Sequence, residues 1–288
     1  MTGGATTDGP ERQAAKAPAS PPSDGSRREP PLLSRAFDAL VAVPVALLAE
    51  IGTLARLLFE TVLWAIRPPY RGRVFVEAME FIGVQSVFLV ALTGFFVGAV
   101  FSLQVIDGFR RFSAEGYTGT VIGLSFAREL APVFAALMVS ARAGSAIATE
   151  LGSMRVSSQI DALTTMSVAP VQYLVLPRVV AGLTMLPVMA LLFNLIGLFG
   201  AYTVATQLFG LDGGMFQERV RWFVDPTDLR QGLAKAAVFG VAITLIACRQ
   251  GFYAEGGAAG VGLATNRAVV HSAIAVLVLD YVVTTFFV

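Results

Sequence analysis

The sequence predicts an all-α integral membrane protein with an N-terminal interfacial helix, five transmembrane helices and a short cytoplasmic helix. Of its 288 residues, 55% are hydrophobic and only 14% are charged, a balance outside the range of ordinary soluble domains. Five apolar stretches have about the length needed to cross roughly 30 Å of hydrocarbon. A stripe of small residues in the second stretch is typical of helices that pack closely inside a membrane.

The charge and the rare residue types exclude several classes of protein. The formal net charge of +1 gives no indication of nucleic acid binding. Cys248 is the only cysteine and His271 the only histidine, so the chain has no disulfide framework and no multi-histidine metal cluster. We therefore expect no metal site in this chain.

Three segments follow from the hydrophobic pattern. Residues 1–31 are rich in Gly, Ala, Ser, Thr and Pro, which predicts a disordered cytoplasmic tail. Residues 32–73 are apolar but interrupted by charges, which favours an interfacial helix over a crossing. Residues 74–288 form the predicted membrane domain, with spans at about 81–106, 122–151, 174–206, 233–249 and 268–288.

Small residues mark two candidate helix contacts. In the second predicted span they recur at every fourth position, a series that stays close to one helix face: Ala136, Ser140, Gly144, Ala148 and Gly152. Such a stripe lets another backbone approach closely. Gly94 and Gly98 form a G-x-x-x-G pair in the first span. That pair predicts either packing within the chain or a contact near a dimer axis.

Ionisable residues inside predicted spans are expensive and need an explanation. We interpret Arg142, Glu150 and Asp280 as structural charges that pair or hydrogen-bond between helices. A proton relay between Asp280 and His271 is the alternative, but their nine-residue separation places them on opposite helix faces. Arg128 and Glu129, toward the outer end of the second span, are expected to face an interior cavity rather than lipid tails.

A polar segment after the second span predicts the short helix at about 157–168. Ser158 and Asp161 have the S-x-x-D spacing of a helix N-terminus. Gln159 and Asp161 are expected on the exposed side, with Ile160 and Leu163 as apolar anchors on the other.

The motifs of this region resemble a known family. R-E-L-x-P-V (128–133), A-R-x-G-S-A-I (141–147), E-L-G-x-M-R (150–155) and Q-I-D-A-L (159–163) occur in the order and spacing of MlaE/YrbE-type permeases. The similarity continues through M-x-V-x-P, L-P-R and A-T-N-R-A-V-V-H-S, so it covers about residue 74 to the C-terminus. These permeases are the membrane subunits of ABC transporters that move lipids together with MCE-domain proteins. A phospholipid is the expected substrate here, with a sterol-like lipid as the alternative.

The resemblance implies roles for particular residues. Arg128 and Glu129, with Gln104 and Leu103 on the first span, would line a lipid cavity, where Arg128 could hold a lipid phosphate. A structural ion pair at the helix end is the alternative for Arg128. The short helix would be the coupling helix that contacts the ATPase through Ser158, Gln159, Asp161 and Leu163. At Ser158 the chain departs from the family, which often has glutamate there.

The resemblance also implies partners and a location. We expect a homodimer in the bacterial inner membrane, with two ATPase subunits, an MCE-domain protein outside and in some systems a STAS-domain protein. The N-terminal helix would be the family's elbow helix, with the N-terminus cytoplasmic and the C-terminus periplasmic. The arginine bias between loops is weak, so this orientation depends on the resemblance.

The sequence contains no nucleotide-binding motif. The glycine-rich loop at 256–262 lacks the Lys-Ser/Thr of a phosphate loop, so ATP and Mg²⁺ are expected on the partner ATPase and not on this chain.

The alternative function is a self-powered secondary transporter or channel for a hydrophobic solute, but we find no internal repeat of the kind such proteins show. A lipid-modifying enzyme is the third reading, and no catalytic constellation supports it.

Overall fold

The computed structural model describes the backbone of residues 32–68 and 71–287, and side chains from Ala49 onward. The chain divides into two units, Met1–Ala49 and Glu50–Val288. In the first unit only the beginning of helix α1 (Leu32–Ala65) is described, and the predicted tail at 1–31 lies outside the described residues. The second unit holds the membrane domain.

Five helical runs in the described residues are long and apolar enough to cross a membrane. Spans 1 to 5 are Gly72–Arg110, Glu115–Val156, Val171–Gln207, Pro226–Phe252 and Gly257–Phe287. No strand occurs among the described residues, so the all-α class with five spans is confirmed. Each run extends beyond its predicted apolar stretch at one or both ends. The interfacial placement of α1 stays a prediction.

Several spans are built from more than one helix. Their elements in chain order are α2 (Gly72–Ile82) and α3 (Val87–Arg110) in span 1; α4 (Thr118–Ser125), α5 (Ala131–Val139) and α6 (Ser145–Val156) in span 2; α8 (Leu176–Gln207) in span 3; α10 (Pro226–Phe252); and α11 (Gly257–Phe287). Between spans 2 and 3 lies the short helix α7 (Gln159–Thr165), and between spans 3 and 4 lies α9 (Gly213–Phe223).

Span 2 contains two π turns, at Phe126–Leu130 and Ser140–Gly144. Pro132 follows the first turn and has no N–H with which to bond the carbonyl of Arg128. The N–H of Ala131 instead donates to the carbonyl of Phe126, five residues back. A π turn inserts an extra residue and often marks a functional site. The two turns carry Arg128, Glu129 and Arg142, three of the four charges singled out from the sequence in this span; Glu150 lies outside them.

Arg142 joins span 2 to a break in span 1. A 3₁₀ turn separates α2 from α3, and the Arg142 guanidinium donates to the Phe81 carbonyl at 2.5 Å and to the Ser86 hydroxyl at 3.3 Å. It also donates to the Gln85 amide oxygen and lies over the Phe81 ring. Since the hydrocarbon core offers no water to a freed carbonyl, this arginine supplies the missing donors.

The small-residue stripe of span 2 is buried against spans 4 and 5. Ala136, Ser140 and Ala148 have almost no exposed surface. A Cβ placed on Gly144 would lie 3.4 Å from the Ile243 side chain of α10, and one on Gly152 would lie 3.3 Å from Val261 of α11. The stripe therefore contacts other helices of the same chain.

The G-x-x-x-G pair of span 1 lies against span 3. Gly94 contacts the backbone of Phe193, and Gly98 contacts the backbone of Gly197 so closely that a Cβ would overlap its carbonyl group. Of the two alternatives, the structure places this pair in a contact within the chain. The absence of a side chain at Gly98 is what allows the two backbones to touch.

We expect Gly98→Ala to destabilise the protein and Gly144→Ala to leave it unchanged or slightly stabilised. The added methyl at Gly98 has no room, and overpacking costs about 1–3 kcal/mol. At Gly144 the same methyl makes ordinary contacts, and alanine is the better helix former by about 1 kcal/mol. Thermal unfolding of the two purified variants measures the difference. Equal midpoints would contradict the assigned backbone contact.

Candidate functional site

Five ionisable side chains from three spans form one cluster in the half of the bundle away from α7. The charge cluster consists of Arg128, Glu129, Asp228, Lys235 and Asp280. Span 2 contributes the first two, α10 the next two and α11 the last. Two positive and three negative groups give the cluster a formal charge of −1.

Lys235 lies at the centre of the cluster. Its side chain has 0% exposure, and its Nζ lies 2.5 Å from Glu129 Oε2 and 3.0 Å from Asp280 Oδ1. A buried ammonium group is tolerated only when it is paired and hydrogen-bonded. Glu129 accepts a hydrogen bond from Nζ, whereas Asp280 provides a second ion pair whose Oδ1 has no hydrogen-bond partner among the described residues. The two carboxylates thereby tie spans 2, 4 and 5 together.

Arg128 makes the third ion pair of the cluster. Its Nη2 lies 2.6 Å from Asp228 Oδ1, and its Nε donates to the same oxygen at 2.7 Å. Asp228 is almost fully buried and its other carboxylate oxygen accepts from the Asp225 backbone N–H, in the capping box that begins α10. The Arg128 side chain, by contrast, is 50% exposed. About half of the Arg128 side chain is therefore accessible, while the carboxylate that it binds is buried.

Close backbone packing brings the first π turn to α10. Gly232 lies between Asp228 and Lys235 in sequence, and a Cβ there would overlap the Ala127 carbonyl oxygen. Behind the turn, the buried Phe126 ring lies 6.1 Å from the rings of Phe101 and Phe193. These contacts fix the turn on two sides, so two consecutive residues, Arg128 and Glu129, both reach the same neighbouring helix.

The other cavity candidates are not part of this cluster. Gln104 is exposed and Leu103 half-buried on α3. Among the described residues, no hydrogen bond or ion pair joins Gln104 to the five charges. Gln104 ends an exposed row at every fourth position of span 1, formed by Phe88, Leu92, Phe96, Val100 and Gln104.

The sequence reasoning missed Asp228 and Lys235 as partners of Arg128 and Glu129. Asp228 falls between the third and fourth predicted spans, and no role was predicted for either residue. A usable signal existed, since Lys235 lies just inside a predicted span, where an ionisable residue calls for a partner. Asp228 lies seven residues before it, on the same helix face.

The remaining structural charges have separate partners. Glu150 lies 2.8 Å from Arg178 of span 3 and does not meet Arg142. Asp280 belongs to the charge cluster. His271 contacts Glu50 of α1, with 2.9 Å between Nδ1 and Oε1. Asp280 and His271 therefore face different partners.

The α7 segment presents a polar surface over apolar anchors. Ile160 is buried and Leu163 half-buried, while Ser158, Gln159 and Asp161 are exposed. The helix begins at Gln159, directly after Ser158, but Ser158 adopts a left-handed conformation (φ 58°) and its side chain makes no cap hydrogen bond. Asp161 instead pairs with Arg155 at 2.7 Å. The S-x-x-D spacing thus located the helix start, although no capping box forms.

We expect Lys235→Met to lower the stability of the protein by about 3 kcal/mol, because it leaves Glu129 and Asp280 without their buried cation. Adding Asp280→Asn should restore part of the loss. Arg73→Met is the control, since it breaks the exposed Arg73–Glu77 pair, and exposed pairs contribute less than about 1 kcal/mol. Thermal unfolding compares the three. Equal midpoints for Lys235→Met and Arg73→Met would disprove the stabilising role.

Comparisons with known proteins agree with the motifs. The family model described as Permease MlaE matches residues 75–286. A probable ABC transporter permease protein of Rickettsia felis is 42% identical over 238 residues, which cover 83% of this chain and 92% of that protein. The intermembrane phospholipid transport system permease protein MlaE of Haemophilus influenzae is 38% identical over 213 residues, 73% of this chain and 80% of that protein. The chain therefore belongs to the MlaE family of ABC transporter permeases.

Proposed function

We propose that this permease moves a phospholipid between the bacterial inner membrane and an MCE-domain protein outside, driven by a separate ATPase. The observation that carries the proposal is the half-exposed Arg128 guanidinium beside a buried charge cluster. The relative from Haemophilus influenzae, which is named as an intermembrane phospholipid transport permease, supports the choice of substrate. The permease itself is non-catalytic, and ATP and Mg²⁺ bind to the partner.

Arg128 is suited to a phosphate ligand. A guanidinium has five N–H donors, and the bonds from Nε and Nη2 both reach one oxygen of Asp228. The remaining donors can bind a phosphate in the paired geometry that arginine favours. A lipid phosphate would then either compete with Asp228 for the Arg128 guanidinium or bind to it alongside Asp228. This exchange of anions gives Arg128 different contacts with and without lipid, as a switch requires.

The homodimer supplies the rest of the cavity in this proposal. The exposed row on span 1 carries large apolar side chains, with Phe88 77% and Phe96 58% exposed. A second copy against this face would enclose Gln104 and Leu103, which a single chain leaves open. The lipid chains would lie along the apolar row and the headgroup near Arg128.

Energy enters through α7, the proposed coupling helix. Its apolar anchors Ile160 and Leu163 hold it to the bundle, so a push from the ATPase on Ser158, Gln159 or Asp161 would be transmitted to span 2. The N-terminus is cytoplasmic and the C-terminus periplasmic in this arrangement. A STAS-domain protein could join the ATPase on the cytoplasmic side.

The alternative, a self-powered secondary transporter, draws on the buried Lys235 with its two carboxylates, since intramembrane charges of this kind occur in ion-coupled transporters. Liposomes distinguish the two. Lipid movement that requires the ATPase subunit and ATP supports the permease function, whereas movement driven by an ion gradient with this chain alone supports the alternative.

We expect Arg128→Ala to reduce the amount of phospholipid that co-purifies with the complex, while the ATPase stays bound. Loss of a charge-assisted contact of about 1.5–3 kcal/mol corresponds to roughly ten- to a hundredfold weaker binding. Arg111→Ala is the control, because in the described part of the chain Arg111 pairs only with the exposed Asp107. Lipid mass spectrometry gives the ratio of lipid to protein. Unchanged lipid in Arg128→Ala would exclude a role for this residue in holding the headgroup.

We expect Asp161→Arg to keep the membrane fold but weaken ATPase docking, since it reverses a charge at a polar contact and like charges can cost several kcal/mol. Asp107→Arg is the matched control. Both aspartates are exposed and paired with an arginine, but Asp107 lies at the opposite end of the bundle. Co-purification of the ATPase measures docking. Full binding by Asp161→Arg would show that the coupling surface has been placed wrongly.

A further inference from the structure

A groove runs between spans 1, 2 and 3 at the α7 end of the bundle. It comprises a narrow cleft of about 40 Å³ and a cavity of about 370 Å³. Val74, Tyr173 and Pro177 line both. We propose that this groove is a second phospholipid site, distinct from the charge cluster, that binds an anionic phospholipid of the adjacent leaflet through Arg71. The site goes beyond the proposed transport function.

The mouth of the groove is basic. Arg71 lines the cleft, is exposed, and lies over the Tyr173 ring at 5.1 Å from the centroid. Arg67 lies nearby over Trp64, and its carbonyl accepts a hydrogen bond from the Gln172 side chain at 3.1 Å. Within the described part of the chain, neither arginine has a carboxylate partner. Their donors are therefore available to a phosphate group.

Eight of the eleven residues that line the cavity are apolar or aromatic, and the three charged ones are paired. Its carbon-rich walls are provided by Val74, Ala78, Phe81, Ile82, Met154, Tyr173, Leu174 and Pro177. Among its acidic residues, Glu150 pairs with Arg178 and Glu77 pairs with Arg73, both at 2.8 Å. A volume of about 370 Å³ lies within the range of ligand pockets, roughly 300–1,000 Å³. The cavity can thus accept part of an acyl chain.

The combination of mouth and interior selects a phospholipid over a water-soluble anion. Free glycerol phosphate could meet Arg71 but would leave the apolar cavity unfilled. Basic pockets between transmembrane helices are known to take anionic headgroups, and Trp64 provides the aromatic edge typical of a membrane interface. Val168 also lines the cleft, shortly after α7 ends at Thr165. A bound lipid would therefore touch the connection from α7 to span 3.

Photolabelling of the full-length chain in nanodiscs tests the site. The discs contain phosphatidylcholine and a small share of phosphatidylglycerol with a diazirine in one acyl chain, and labelled peptides are mapped by mass spectrometry. We expect labels on residues 74–82 and 171–177 in excess of those on the exposed face of α11, which reports bulk lipid. Arg71→Glu should lower the excess about fivefold or more. Met154→Trp, which fills the cavity, should also lower it.

Arg56→Glu is the matched control, because Arg56 is an exposed arginine of α1 whose partner is Glu60. Neither residue lines the groove, so this variant should keep the labels. Free glycerol phosphate should not compete. If thermal unfolding shows that Arg71→Glu does not fold, Arg71→Gln replaces it, with the same expected loss of groove labelling. Labels equal to those on α11, labels insensitive to both Arg71 variants, or competition by glycerol phosphate would each overturn the proposal. Crosslinking of the groove to a second protein instead of lipid would do the same.

Discussion

The Lys235 ammonium group has no exposed surface, and the packing around it depends on satisfying that charge. A buried cation without partners would cost several kcal/mol, so the neighbouring helices must deliver acids to one point. The first π turn presents Glu129, α11 presents Asp280, and Gly232 allows the π turn to touch α10. Removal of any of these features would leave a charge or a backbone group in the interior without its contact.

Irregular backbone and arginine occur together in span 2. The π turn at Phe126–Leu130 carries Arg128, and the π turn at Ser140–Gly144 carries Arg142. Arg142 satisfies carbonyl and side-chain oxygens at the break in span 1, whereas Arg128 binds a buried carboxylate and keeps half of its surface open. Three of the five Arg142 donors thus bond to three different oxygens of span 1, whereas Arg128 directs two donors to a single oxygen of Asp228. This difference in partners separates a structural charge from a candidate binding residue.

Periodicity and composition were sufficient for the spans and for α7, because each is a local property of a short stretch of sequence. They also placed Ile160 inward and Asp161 outward. The partners of Arg128 and Glu129 lie about a hundred positions along the chain, and no local pattern specifies such a pairing. The π turns were not predicted either, because a regular period of about 3.6 residues was assumed throughout span 2. The Gly94–Gly98 pair was ambiguous because a small surface fits equally against its own chain or a second copy.

Span 2 connects the two candidate functional surfaces. The half of span 2 away from α7 carries Arg128 and Glu129. Its other end leads through Arg155 into α7, where Asp161 accepts a hydrogen bond from that arginine. Between them, Arg142 holds span 2 to span 1 and the small-residue stripe holds it to spans 4 and 5. Coupling between distant sites requires an element with two arrangements that both sites influence. In the proposed cycle that element is span 2, because a displacement of α7 would move span 2 as a unit. Arg128 would bind Asp228 in one of the two arrangements and a lipid phosphate in the other.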